Sequence, residues 1–398
     1  MSDYITVDDA RALLLSRAST TFRVEQRNLA EALGHVLGED VTAPMNWPPF
    51  SRAAMDGYAV RAAHTPGTFQ VTGTLFAGDV WPRPLAPGEA LRIMTGAPVP
   101  EGADTVLEQE RVTEGPVIAI LDRIRAGRNV MPAAHEYRNG DTLLPAGTLL
   151  GPLDVGQLAS VGISQVPIIA PPRVTIITTG DEIVPPGSAL NPGQIYDANG
   201  HLLTSLWRSH FGADVRRVHV PDHRKRLITI LERVASTSDL LITTGGVSVG
   251  AHDYLPALME QRYQRLFWHV DMHPGKATAA ALIGDRVLWL ALSGNPGAML
   301  TAWYLLGMPL AAQLSGHPWT ETRVQGRLMR PYPKPTRETR YLKARFVTQG
   351  DTLLFDLLDN QSSDAIRSFR EADGLVIIPH KSAPIKEGTV LDGLRLLL

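Results

Sequence analysis

Three short apolar runs, each breaking into a polar, glycine-bearing loop, constrain the fold of this chain more than any other feature. They are RVTIITTGDE from Arg173, DLLITTGGVSVGAHD from Asp239 and RVLWLALSGNPG from Arg286. Each is rich in aliphatic and β-branched residues and uncharged along its apolar stretch, the texture of strands buried on both faces of a parallel sheet. Helical patterns alternate with them: Asn199 to Phe211, stopped by Gly212, then a segment from Asp222, one near Tyr254 and a long one from Pro296. Further strands are expected up to Val220, at Leu266 and at Ala279. This alternation predicts a doubly wound α/β domain with helices on both faces. Ligands of open α/β sheets bind outside the carboxyl ends of the strands, so the loops after the runs should line one cleft.

A chain of 398 residues is too long for a single core. Thr6 followed by Asp9 has the form of a capping box, and Ala10, Leu13, Leu14 and Arg17 give a helical period, so an amphipathic helix should open the chain. A second short helix is expected near Asn28 to Leu33. From Met45 to about Ala134 the texture is Pro, Gly, Thr and Val in short alternating pieces, which predicts a β-rich unit. Residues 138–166 read as turn, strand, turn, helix and strand, and Pro171 and Pro172 make a stiff joint. Beyond Trp319, TRYLKARFV, TLLFDLL and the Pro- and Gly-divided close predict a small β-barrel or sandwich.

Composition removes several functions. The net charge of −2 provides no basic field for nucleic acid or for an acidic membrane surface, so an anionic ligand must be held by local geometry. The absence of cysteine excludes disulfides and thiolate ligands, argues against zinc and iron-sulfur chemistry, and fits a reducing compartment. The N-terminus carries acids where a signal peptide needs bases, and no apolar run is long enough to span a bilayer. A cytoplasmic protein is the expectation.

The loops carry the chemistry. In Thr243 to Asp253, glycines Gly245, Gly246 and Gly250 flank Ser248 after a buried strand, where successive N–H groups could form an anion-binding nest. The loop lacks a P-loop lysine and a dinucleotide fingerprint, and a plain tight turn remains the alternative. Asp181 and Glu182 are adjacent carboxylates at another strand end. Such a pair repels unless a cation or a shared proton intervenes, although Asp181 could simply cap a turn. Asp253 and Asp222 add acids from other strand ends, and converging oxygen ligands suit Mg2+. Lys276, in HPGK after His273, could balance these acids and steady an anion. Ser293 and Asn295 in SGNPG open a helix with Pro296 near its first position, which by itself explains their composition. Asp56-Gly57 and Thr95-Gly96 are turn chemistry, and two ordinary loops is the plainer reading there.

Taken in order, PPF..AAMDGYAV, RIMTGAPVPEGAD, NGDTLLPAGTLL..LDVGQLASVGI, TTGDEIV, GQIYDANG, TTGGVSVGAHDY, HPGKA and SGNPG resemble the MoeA family of molybdopterin molybdenumtransferases, which includes the C-terminal part of gephyrin. The strings span nearly the whole chain, and their joint order is more specific than any one of them. The resemblance implies an elongated discontinuous domain (1–44 and 135–172), a β-rich domain (45–134), an α/β molybdopterin-binding domain similar to MogA (173–317) and a C-terminal β-barrel (318–398). It implies a homodimer in which the MDGYA and MTGAP loops of one subunit face the α/β domain of the other. The implied reaction inserts molybdate into adenylylated molybdopterin with release of AMP, assisted by Mg2+; a molybdopterin adenylyltransferase is an implied partner. By position Asp56, Thr95, Asp181, Glu182, Asp222 and Asp253 match family site residues, with Glu182 and Asp253 toward the metal. Lys276 matches a basic residue near molybdate, and Ser368 a barrel residue that approaches it.

The chain departs from the family pattern around that pocket. FSRAAMDGYA stands for FDNSAMDGYA, Met131 for the usual Arg, Tyr137 for an acid, HPGKA for KPGKP and GNPGA for GNPVS, so that His273, Ala277 and Ala298 replace Lys, Pro and Ser; the QGSG-like barrel turn reads QSSD. These changes leave a second reading open, a catalytically degenerate or re-specialised relative that binds pterin intermediates or partner proteins. Tungstate in place of molybdate is a third. If His273 partners the anion, activity should fall as pH rises through roughly 6.5.

Overall fold

In the computed structural model of the protein, which describes residues 4–213, 215–247 and 255–396, the three apolar runs form the centre of a six-stranded sheet. Its order is Val215–Val220, Val174–Thr179, Leu240–Thr244, Val287–Leu292, Ala279–Ile283, Gln264–Trp268, and the first four strands are parallel. Side chains alternate between two cores. Val174, Ile176, Leu240, Ile242, Leu288 and Leu290 pack with Leu203, Trp207 and Trp303 on one face. Ile177, Leu241, Val287 and Trp289 pack with Leu227, Leu231 and Leu258 on the other. Period-two alternation with both faces apolar is what produces a continuous hydrophobic run in sequence.

The chain divides into two compact units, Met1–Glu25, Gly34–Gly38 and Ile168–Leu398 forming one, Gln26–Leu33 and Glu39–Pro167 the other. Within the first, the opening helix Val7–Arg17 starts as expected: the Thr6 hydroxyl accepts the Asp9 N–H and donates to its carboxylate, while Val7, Ala10 and Leu14 are buried. Arg323–Leu328, Thr352–Leu357, Arg340–Gln349, Gly374–Ile378 and Val390–Arg395 close into a five-stranded barrel around Phe355, Leu342 and Val376. In the second unit Thr105–Glu108, Gly57–Val60, Glu89–Ile93, Gly67–Leu75 and Val117–Ile120 form a five-stranded sheet.

Four local expectations change. The helix near Asn28 to Leu33 is a single turn, Leu29–Glu31, too short to nucleate an α-helix. The helix expected from Asp222 begins at Arg224 with His223 as its cap. The Ala279–Ile283 strand runs antiparallel to both neighbours, because the short connection from Trp268 holds no crossover helix. The helix from Pro296 is interrupted by a wider turn at Trp303–Gly307 before resuming at Met308–Leu314. Pro309 has no N–H for the Leu305 carbonyl, which instead accepts Arg11 Nε at 2.9 Å.

Candidate active site

Strand order places the site. The chain leaves the Val174–Thr179 strand toward Val215–Val220 on one side and returns on the other at Leu240–Thr244, so their carboxyl ends diverge at a switch point. A cleft of about 640 Å³ opens there. Of the expected residues, Glu182, Asp222, Gly245, Gly246, His273, Lys276, Ser293 and Asn295 line it. Gly245 adopts φ +91°, and a Cβ there would stand 2.7 Å from Thr179 Oγ1, so only glycine lets these two strand ends approach. Its N–H donates to the Leu292 carbonyl at 3.1 Å, which removes that group from the anion nest the loop was expected to offer. Ser248, Gly250 and Asp253 lie outside the described residues.

Asp181 does not line the cleft. It accepts the N–H of Asp222, from the end of the neighbouring strand, at 3.1 Å and so steadies the segment that presents Asp222. Ser293 accepts the Asn295 N–H at 3.2 Å, and Asn295 Nδ2 reaches Ser363 Oγ at 3.2 Å. Ser368 is only 3% exposed and donates to the Ala365 carbonyl; the barrel residues that line the cleft are Ser363 and Asp364. The Ser363 carbonyl takes the Ala298 N–H at 2.9 Å, so this serine stands beside the position where a hydroxyl was missing in sequence.

Asp56 and Thr95 belong to the second unit. The pairing of Gly57 with Ile93 brings their loops together, and Asp56 Oδ1 accepts both the Thr95 N–H at 2.8 Å and its hydroxyl at 2.7 Å. These two bonds hold the Asp56 carboxyl below the usual carboxylate range. A Cβ at Gly57 would fall 2.0 Å from the Leu107 carbonyl oxygen, so the glycine of MDGY is a steric requirement of the strand beside it.

The electrostatics of the cleft are one-sided. Among the described residues lining it, Glu182, Asp197, Asp222 and Asp364 are carboxylates and Lys276 is the one permanent cation. The charged form of His273 is disfavoured: burial first, then Arg340, then Lys276 depress its pKa, against the opposing carboxylate of Glu338, 3.7 Å from Nδ1. The expectation of a titration near 6.5 is thereby corrected downward. No three His, Asp or Glu side chains among the described residues are grouped closely enough to hold a metal ion.

Sequence reading missed Asn199. It is 8% exposed, its Nδ2 donates to the Gly294 carbonyl at 2.7 Å, and its buried Oδ1 has no partner. Turning the amide over would set oxygen against oxygen, so the open group is an acceptor that calls for an N–H or O–H. Asn199 belongs to the string GQIYDANG, in which nothing distinguishes a helix-capping Asn from one facing a cleft.

Residues 5–162 match the MoeA N-terminal region (domain I and II), 175–313 a probable molybdopterin binding domain and 325–396 the MoeA C-terminal region (domain IV). A molybdopterin molybdenumtransferase of Haemophilus influenzae is 35% identical over 316 residues, 78% of each chain. Another from Staphylococcus epidermidis is 31% identical over 376 residues, 92% of this chain and 89% of the relative. The crystal structure of a molybdopterin biosynthesis MoeA protein from Pyrococcus horikoshii superimposes with a TM-score of 0.82 at 29% identity, covering 98% of this chain and 99% of that one.

Proposed function

The chain belongs to the MoeA family and is an enzyme of molybdenum cofactor biosynthesis of the molybdopterin molybdenumtransferase type, and from that premise we propose that it inserts molybdate into adenylylated molybdopterin with release of AMP and with magnesium assisting. The observation that carries this reading is the gathering of Glu182, Asp222, the Gly245–Gly246 turn, Lys276, Ser293 and Asn295 at one switch point. Molybdate and phosphate are anions, so the carboxylates do not grip them. They are suited to a divalent cation or to giving a proton to a departing oxo group.

The donor set fits magnesium in kind, since a cleft with four carboxylates to one lysine must gain positive charge before an anionic substrate settles in it. Glu182 and Asp253 would hold the ion, which would supply charge neutralisation for phosphate oxygens. Lys276 steadies molybdate, with the Ser363 hydroxyl in the place of the family's serine at position 298. The unmet acceptor of Asn199 suits the N–H edge of the pterin or a ribose hydroxyl. Asp56 and Thr95 act in the cleft of a second subunit, the division into four domains follows the boundaries given above, and the adenylyltransferase is the partner that delivers substrate.

Purified protein given adenylylated molybdopterin, molybdate and Mg2+ should yield AMP and metal-loaded cofactor. Calorimetric binding of the adenylylated pterin without turnover, unchanged by Asp253→Ala, is the result that overturns the proposal.

A further inference from the structure

Lys276 is the single Lys or Arg among the described residues lining a cleft that also presents four carboxylates. An ammonium on a flexible four-carbon stem would ordinarily swing to the nearest carboxylate and be neutralised. Instead its Nζ lies 4.2 Å from the centroid of the Tyr4 ring. Tyr4 is not a loose contact. The next residue, Ile5, bridges to Val270, its N–H donating to the His269 carbonyl at 3.3 Å and its own carbonyl accepting the Asp271 N–H at 2.8 Å.

Behind Tyr4 the aromatic contact continues. The His269 ring lies 5.6 Å from Tyr4 and 4.3 Å from Trp268, whose Nε1 donates to the Val247 carbonyl in the turn after the Leu240–Thr244 strand. His269 is held at φ +66°, an uncommon conformation for a residue with a Cβ, with its N–H bonded to the Thr278 carbonyl. Burial, and then Lys276 itself, push the His269 pKa down, which disfavours a second positive charge behind the Tyr4 ring.

We propose that Tyr4 is a positioning residue that holds the Lys276 ammonium for molybdate, using the face of its ring. A ring face attracts a cation without cancelling its charge, so Lys276 keeps its full positive field for an incoming anion, which a carboxylate partner would consume. The inference rests on the reading that Lys276 meets molybdate.

The test is steady-state kinetics on the full chain with molybdate varied. Tyr4→Leu should raise KM for molybdate about 10-fold, the upper range of a partly desolvated cation–π contact, with kcat changed less than about twofold. Tyr4→Phe and Tyr4→Trp, which keep a ring face, should stay near the wild-type KM, and Tyr4→Leu added to Lys276→Met should have no further effect. If Lys276→Met raises KM but Tyr4→Leu does not, or if Tyr4→Phe loses as much as Tyr4→Leu, the positioning role is wrong while the proposed function stands. If Lys276→Met leaves KM unchanged, the assignment of Lys276 to molybdate fails, and this inference with it.

Discussion

At the scale of single residues, the difference between what a motif offers and what a side chain does is set by its neighbours. Asp181 and Glu182 are adjacent in sequence, yet Asp181 accepts the distant Asp222 N–H and Glu182 lines the cleft. His273 occupies a site-lining position, but burial, Arg340 and Lys276 lower its pKa. Its folded pKa is below the unfolded 6.5, so the stabilisation from a neutral imidazole is complete above pH 6.5 and is lost as pH falls through the window beneath it. Thermal melts should therefore show wild type losing more stability than His273→Gln between pH 6.5 and 5, and His273→Lys should lower KM for molybdate about threefold by adding a cation. Lys343 behaves in the same sense at higher pH. It is 1% exposed on a barrel strand, donates to the Ser362 carbonyl at 2.9 Å, and burial depresses its pKa from 10.5 to about 8 despite the nearby Asp364. Between those two values the unfolded chain binds the extra proton, so wild-type stability should rise from pH 8 toward 10 relative to Lys343→Met. Parallel pH curves for the two proteins would show that the buried amine carries no such penalty.

At the scale of elements, the cleft depends on two strand ends approaching closely enough for Gly245 to touch Thr179. Gly245→Ala forces a Cβ against Thr179 Oγ1 at a φ that side chains avoid, and should cost about 1–3 kcal/mol in urea unfolding while lowering turnover. An alanine that melts like wild type would mean the loop relaxes freely. The strands and helices of the α/β region were legible because apolar period and cap residues are local properties; Gly212 ends its helix in the left-handed conformation as its position suggested. The antiparallel Ala279–Ile283 strand was not, since strand direction depends on what connects the strands rather than on the strand's own residues. The break at Trp303–Gly307 was foreshadowed only by Pro309, and its use, an open carbonyl for Arg11 of the first helix, needed a contact between residues almost three hundred positions apart.

At the scale of the whole molecule, the proposed two-subunit site makes a prediction that a single-chain site does not. Asp56→Ala and Glu182→Ala should each be strongly impaired, and mixing the two after partial denaturation and refolding should recover activity, because a mixed dimer contains one cleft with neither substitution. Activity that stays at the level of the separate variants would place Asp56 and Glu182 in the same subunit's site or outside it. No helix among the described residues is long and apolar enough to cross a membrane.

Sequence by itself determined the α/β core, the C-terminal β-rich close and most of the cleft-lining loops, because burial on two faces and turn chemistry leave marks within a few residues of where they act. Tertiary structure alone decided that Ser363 rather than Ser368 lines the cleft, that Asn199 holds an unmet acceptor, that burial lowers the His273 pKa and that Lys276 rests on Tyr4. Each of those depends on a partner far along the chain. The distance, burial and field that such a partner supplies exist only after the strands have been ordered.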